Sequence, residues 1–144
     1  MTEGIVRQSR PVKPIMRRLG ALLLLGLTNP AAAETIVVQT DGRHFSLRIV
    51  GVAHTEQLNH LHGFDIALET AYGRPVSGAT IVITGERRYA PNPLPTMPQV
   101  RPGPAAGSYR AEGLRFHIPG EWHLHFAIQS GEIRDRAVLS LMVE

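Results

Sequence analysis

The sequence contains no cysteine among its 144 residues. That absence excludes disulfide bridges, thiolate metal ligands, a cysteine nucleophile and the lipid-modified cysteine of a lipoprotein. A segment of about 110 residues, such as 34–144, can bury a sufficient hydrophobic core without disulfides, whereas domains of about half that size usually need them. Packing and hydrogen bonds alone must therefore hold the fold.

The sequence also lacks a hydrophobic run long enough to cross a bilayer. Its longest apolar stretch is 19–27, whereas a membrane-spanning helix needs about 20 residues. Basic residues precede this stretch, and Ala31-Ala32-Ala33 follows it, which is the order of a secretory signal peptide. We predict a signal peptide over 1–33, a mature domain over 34–144 with no membrane span after cleavage, and a periplasmic or secreted location. The basic residues are Arg7, Arg10, Lys13, Arg17 and Arg18.

The mature segment has no excess of positive charge, although the whole chain has a net charge of +3. Setting aside the five basic residues and one acidic residue before position 34 leaves ten basic and eleven acidic residues. A near-neutral domain lacks the basic surface that binds nucleic acid, so no nucleic-acid partner is expected. All seven histidines lie in 34–144.

No part of 34–144 shows a helical 3.6-residue apolar period of useful length. Apolar and polar residues instead alternate, as in 44–49 and 63–70, and a period of two is typical of a β-strand with one buried face. Turn sequences separate these segments. The pattern predicts an all-β fold, an immunoglobulin-like β-sandwich of about seven strands. Its core is expected to include Phe116, Trp122, Leu124, Phe126 and Ile128.

Six of the eleven prolines lie between Gly85 and Gly107. Proline lacks the N–H group that a β-ladder requires, so this segment cannot be a central strand. We predict a long, partly extended loop over 85–107, and loops of this length are usually either functional or disordered. Apolar residues within it favour packing against the domain. The predicted binding loop consists of Leu94, Pro95, Thr96, Met97 and Pro98.

Motifs of catalysis are absent from the sequence. It has no Gly-x-Ser-x-Gly elbow, no His-Glu-x-x-His and no glycine-rich phosphate loop. Asp65 and Glu69 alternate outwards on a predicted strand, and solvation explains both. We therefore predict a protein without enzymatic activity.

The predicted metal ligands are His117, His123 and His125. If Pro119-Gly120-Glu121 is a three-residue hairpin turn, the pairing that keeps large apolar residues on one side places His117 opposite His123. Directly opposed Cβ atoms are about 4.5–5.5 Å apart, and His125 follows on the same face. Imidazoles suit Cu(II), Zn(II) or Ni(II). The alternative is that all three are solvated residues of an outer sheet face.

A second histidine group contains His54, His60 and His62. The last two share a strand face if their strand begins early enough. Met97 could add a thioether, which suits Cu(I); alternatively, it packs on the sheet as a gap-filler. Trp122 is expected in the core with a partner for its indole N–H.

Three segments of the chain carry a family resemblance: 73–81 (GRPVSGATI), 94–100 (LPTMPQV) and 107–122 (GSYRAEGLRFHIPGEW). They resemble the YtkA-like family of small exported proteins, which is related in pattern to the FixH-like proteins. The resemblance implies an immunoglobulin-like sandwich outside the cytoplasm, and some members look connected with copper handling or oxidase assembly. Family members often carry histidine before the Leu-Pro-Thr segment. This chain has 89–93 (YAPNP) there, so no metal role is transferred to that segment.

We therefore expect an exported, non-catalytic binding or accessory domain that acts through the 85–107 loop and the neighbouring sheet end. The metal-dependent version is a role in copper handling or oxidase assembly, with copper as the candidate cofactor. The alternative is a metal-free interaction module whose partners are other cell-envelope proteins.

Overall fold

The computed structural model describes residues 34–52, 55–56 and 58–144. Within these residues every regular element is a β-strand, as the alternating pattern predicts. The predicted signal peptide, 1–33, and His54 lie outside the described residues. No helix in the described part of the chain is long and apolar enough to span a membrane.

Ten strands follow one another along the described chain. They are β1 (Thr35–Gln39), β2 (Phe45–Val50), β3 (Thr55–Glu56), β4 (Leu61–Thr70), β5 (Thr80–Arg87), β6 (Ala90–Pro93), β7 (Gln99–Pro102), β8 (Ser108–Arg115), β9 (Gly120–Ser130) and β10 (Ile133–Val143).

The strands form two five-stranded sheets. Sheet A has the order β1-β2-β4-β8-β7, and sheet B has the order β3-β10-β9-β5-β6. Neighbouring strands are antiparallel except for β3, which pairs with β10 in parallel. The runs β2-β4-β8-β7 and β10-β9-β5 reproduce the immunoglobulin arrangement, in which strands A, B, E and D face strands C, F and G. The predicted sandwich is confirmed, with ten strands in the described residues where about seven were expected.

The core lies between the inward faces of the two sheets. On β9 the predicted alternation holds, because Trp122 and Phe126 are buried and the residues between the buried positions face outwards. Phe126 contacts Phe64 of sheet A edge-on, with ring centroids 6.2 Å apart. Trp122 Nε1 donates a hydrogen bond to the Ile118 carbonyl at 2.9 Å. The buried indole therefore has the partner that it requires.

The proline-rich segment is not one long loop, and that prediction is wrong. β5 continues to Arg87, and residues 90–93 and 99–102 form β6 and β7. β6 lies at the edge of sheet B and β7 at the edge of sheet A, and edge strands tolerate proline because one side needs no N–H donor. The exclusion of a central strand is confirmed. Residues 94–98 connect the two edges.

One buried carboxylate ties the two sheets together. Asp135 of β10, 8% exposed, accepts hydrogen bonds from the backbone N–H groups of Gly42 at 2.8 Å and His44 at 3.1 Å, in the turn between β1 and β2. His44 Nδ1 lies 2.9 Å from the same carboxylate. Burial by itself raises the pKa of Asp135. Hydrogen bonds from Thr40, the backbone of Gly42 and Arg136, and His44 outweigh that effect and hold the pKa well below its usual range.

Candidate functional site

The outward surface of sheet B carries two of the three predicted metal ligands. Alternation on β5, β9 and β10 turns every second side chain of each strand away from the core. The strand register aligns these side chains in rows across the three strands. We call this surface the sheet B face; its three central rows are Val82/Ala127/Arg136, Thr84/His125/Val138 and Glu86/His123/Ser140.

His123 and His125 lie side by side on this face, with ring centroids 6.5 Å apart. His123 Nε2 lies 3.5 Å from a carboxylate oxygen of Glu121, and His125 Nε2 lies 3.4 Å from one of Glu86. The two histidine side chains are 26% and 41% exposed. Their predicted common face is confirmed. The arrangement presents imidazole nitrogens and carboxylate oxygens together to an incoming ligand.

Arg88, in the turn after β5, holds the carboxylate of Glu121 in place. Its Nη1 donates hydrogen bonds to the two carboxylate oxygens at 2.9 and 2.8 Å. This bonding lowers the pKa of Glu121 against the opposing effect of burial, and His123 adds to the lowering. The same hydrogen bond raises the pKa of Arg88. Glu121 is therefore a fixed anion at this end of the face.

The predicted pairing of His117 with His123 is wrong. β8 ends at Arg115 in sheet A and β9 begins at Gly120 in sheet B, so residues 116–119 cross between the sheets and form no hairpin. His123 instead pairs with Ser140 of β10 and Glu86 of β5. His117 is exposed on the crossing, where its ring lies 5.8 Å from that of Trp122. Two amphipathic segments show the same alternation whether they pair or face each other across a core.

The two described members of the second histidine group, His60 and His62, lie away from the sheet B face. β4, which contains His62, begins at Leu61 and belongs to sheet A, and His60 precedes it. The His62 ring lies 5.8 Å from that of Phe116. Met97 is 87% exposed, so its predicted packing on the sheet is wrong. Its short connection runs between two edges rather than across a face.

The predicted binding loop is the connection between β6 and β7. Leu94 packs against the core and its N–H donates to the Gly85 carbonyl at 3.0 Å. Thr96 and Pro98 are half-buried, whereas Pro95 and Met97 are exposed. The connection is therefore anchored at Leu94 and presents alternate side chains to solvent.

In the described part of the chain, possible metal ligands lie together in groups of fewer than three. Among the residues that the structure describes, no group of three or more histidine, cysteine, aspartate or glutamate side chains could hold a metal ion. The sheet B face supplies two imidazoles and adjacent carboxylates. Sequence reasoning missed Glu86 and Glu121 as neighbours of these histidines. The alternation of β5 places Glu86 on an outer face, but only the order of the strands shows which histidine it faces.

Exposed apolar side chains share the sheet B face with these charges. Val82, Val138 and Met142 are 52%, 41% and 45% exposed. A shallow hollow of about 630 Å³ lies at the small side chain of Ala127, with Arg136 among its lining residues. Apolar side chains around a hollow with charged rims form a surface suited to contact with another macromolecule.

The outward surface of sheet A is organised differently. Arg48 lies 3.7 Å from Glu69, and Arg110 lies 3.2 Å from Asp65 and 3.6 Å from Glu112. The Arg48–Glu69 and Arg110–Asp65 pairs join neighbouring strands, whereas Glu112 lies on the same strand as Arg110. With charged side chains along its strands, several of them paired within the molecule, this surface has the composition of a solvated outer face.

Comparison with known proteins gives no family assignment. No family model matches the chain, and no curated protein matches it. Among solved structures, the chain is similar to the ZirS C-terminal domain, with 12% sequence identity and a TM-score of 0.42. The match covers 96% of this chain and 87% of that one.

Proposed function

We propose that this protein is an exported, non-catalytic binding domain of the cell envelope and that the sheet B face is its binding surface. The difference between the two outer faces carries the proposal. Sheet A carries ion pairs on its inner strands β2, β4 and β8 and exposes Val37 on its edge strand β1, whereas the sheet B face exposes Val82 and Val138 on its inner strands β5 and β10, beside charged groups. A sandwich with a packed core holds that face in one shape, so binding costs little conformational entropy.

The proposed partners are other envelope proteins, and the proposed location is periplasmic or secreted. The signal-peptide pattern of 1–33 and the resemblance to the YtkA-like family support both proposals. Apolar side chains flanked by carboxylates and arginines suit a protein surface of mixed composition. The connection 94–98 follows β6, the edge strand beside β5, and exposes Pro95 and Met97, so the predicted binding loop is proposed as a rim next to this surface.

Site-specific photo-crosslinking in the exporting cell tests the surface. We expect a benzoylphenylalanine residue at Val138 to yield crosslinked adducts, because this side chain lies within the sheet B face. Val37 is the matched control, since it is also an outward valine on a strand and is 58% exposed, but in sheet A. Equal adducts from the two positions, or none from Val138, would contradict the proposal.

Copper handling is a second candidate function, and the adjacent imidazoles of His123 and His125 favour it. Two imidazoles on one strand face are ligands that Cu(II) and Zn(II) accept. Among the described residues, no third ligand lies in place. A metal ion would therefore be held by two imidazoles, and Glu86 is the nearest further donor to His125. A site of this kind would bind metal weakly and at the surface.

Calorimetric titration of residues 34–144 with Cu(II), with Cu(I) under reducing conditions and with Zn(II) tests this candidate. We expect any micromolar binding to weaken at least about tenfold in His123→Ala/His125→Ala, because both imidazoles are removed. His117→Ala is the control, since His117 lies on the crossing between sheets. No binding by the unaltered domain would leave the metal-free module as the proposed function.

A further inference from the structure

The sheet B face carries opposite charges at two diagonal corners. Arg136 and Glu86 occupy opposite corners of the three central rows, with His125 at the centre. Across the described ranges, neither Arg134 nor Arg136 forms an ion pair, and Glu86 has only the imidazole of His125, at 3.4 Å. Asp41 shares the lining of the hollow with the arginines. Arg136, without an ion pair, and Glu86, with only a neighbouring imidazole, thus lie at the two ends of one diagonal.

We propose that the sheet B face binds a second copy of this chain. The proposal rests on the proposed function, because it uses the same binding surface, and it makes a second copy the occupant of that surface in place of a different envelope protein. A surface that is positive at one corner and negative at the opposite corner is complementary to itself under a two-fold rotation. The two-fold axis passes above His125, lies in the plane between the copies and is perpendicular to the Arg136–Glu86 diagonal. Rotation about this axis brings Arg136 of each copy opposite Glu86 of the other.

The spacing of the sheet makes this arrangement feasible. Neighbouring strands are about 4.8 Å apart and successive outward residues about 6.8 Å apart, so the diagonal lies about 35° from the strand direction. The two-fold operation then crosses the strands of the two copies at about 70°, close to the orthogonal class of sheet packing. Val138 of each copy comes to lie over the imidazoles of the other. The apolar side chains are thereby covered between two pairs of opposite charges.

The size of the contact sets its expected strength. The three central rows span on the order of 300 Å² per copy in plan, which is less than the roughly 800 Å² that each partner contributes to a standard interface. We therefore expect a weak dimer with a Kd on the order of 100 µM, which forms only at high local concentration.

Sedimentation velocity with charge-reversal variants tests the dimer. Residues 34–144 contain the whole described core, so this segment is expected to fold on its own. We expect the sedimentation coefficient to rise between about 10 µM and 1 mM. Arg136→Glu alone, or Glu86→Arg alone, is expected to weaken association at least about tenfold, because like charges then meet twice. The double variant Arg136→Glu/Glu86→Arg is expected to restore association, because the opposed pair is reversed and rebuilt.

Arg101→Glu is the matched control, since Arg101 is an exposed arginine on β7 of sheet A, and it is expected to leave association unchanged. A domain that stays monomeric throughout, single variants without effect, or a double variant that fails to restore association each overturn the dimer. The crosslinking experiment separates this failure from failure of the proposed function. Adducts of Val138 to a different protein retain the binding surface and reject the second copy, whereas no adducts at all reject the surface itself.

Discussion

At the scale of single residues, polar side chains in this domain fall into two groups with different roles. Asp135 is buried and accepts hydrogen bonds from the turn between β1 and β2. Glu86 and Glu121 lie at the surface beside imidazoles. A buried acceptor with backbone donors is costly to remove because the donors lose their partners. Surface pairs contribute little to stability, so the first group serves the fold, and the second belongs to the proposed binding surface.

We expect Asp135→Asn to lower the free energy of unfolding by about 2–3 kcal/mol, because one acceptor oxygen becomes an amide nitrogen that faces backbone N–H groups. Denaturant unfolding of residues 34–144 measures the loss. Asp65→Asn is the control, since the Asp65 side chain is 65% exposed and lies 3.2 Å from Arg110, and a loss below about 1 kcal/mol is expected there. Equal losses would show that Asp135 does not hold the turn.

The unaltered domain and Asp135→Asn are also expected to differ in how their stability depends on pH. The pKa of Asp135 is lower in the folded state, so its contribution to stability is complete above the ordinary aspartate pKa of about 3.9 and is lost as the pH falls below it. We expect the stability difference between the unaltered domain and Asp135→Asn to be constant near neutral pH and to shrink below about pH 4. A difference that persists undiminished at pH 3 would contradict the assignment.

At the scale of elements, the connections between strands decide which surfaces form. Residues 116–119 carry the chain from sheet A to sheet B, and this crossing separates His117 from His123. The connection that ends at Gly107 is fixed by close packing. Gly107 has a φ of +70°, and its N–H binds the side chain of Ser77 at 2.9 Å. The start of β8 is thereby held against the turn that precedes β5.

Gly107 provides a prediction at this scale. A Cβ atom at this position would lie 2.8 Å from the Leu68 carbonyl oxygen and 2.8 Å from Pro75 Cβ. Neither the backbone strain of a positive φ nor the steric overlap with these atoms is easily relieved. We expect Gly107→Ala to destabilise the domain by about 3 kcal/mol in thermal or denaturant unfolding. Gly73→Ala is the control, because Gly73 has a similar φ of +76° and open space around it. A loss of only about 1 kcal/mol is expected there, and equal losses would rule out the close contact.

At the scale of the whole molecule, the two outer faces have different compositions although both alternate in the same way. Arg48 and Arg110 of sheet A meet acidic partners on neighbouring strands. Arg134 and Arg136 of sheet B meet none within the residues described. Such a difference arises only when strands from distant parts of the chain become neighbours, as β5, β9 and β10 do. The proposed binding surface is therefore a property of the assembled sandwich.

The candidate site was only partly predictable for the same reason. The common face of His123 and His125 follows from their spacing of two along one strand. Their carboxylate neighbours do not, since Glu86 reaches this face through the pairing of β5 with β9. The edge positions of β6 and β7 agree with the exclusion of proline from central strands. Their existence as strands depends on partners elsewhere in the chain.

The sequence by itself determined which side chains face inwards, since every second residue of an alternating strand is buried, whichever strand lies beside it. It therefore predicted the all-β sandwich and the core positions of Trp122 and Phe126. The tertiary structure decided which strands pair and which face each other across the core. Alternation shows only that one side of a strand is buried. Two such strands show the same pattern whether they are paired by hydrogen bonds in one sheet or face each other from opposite sheets.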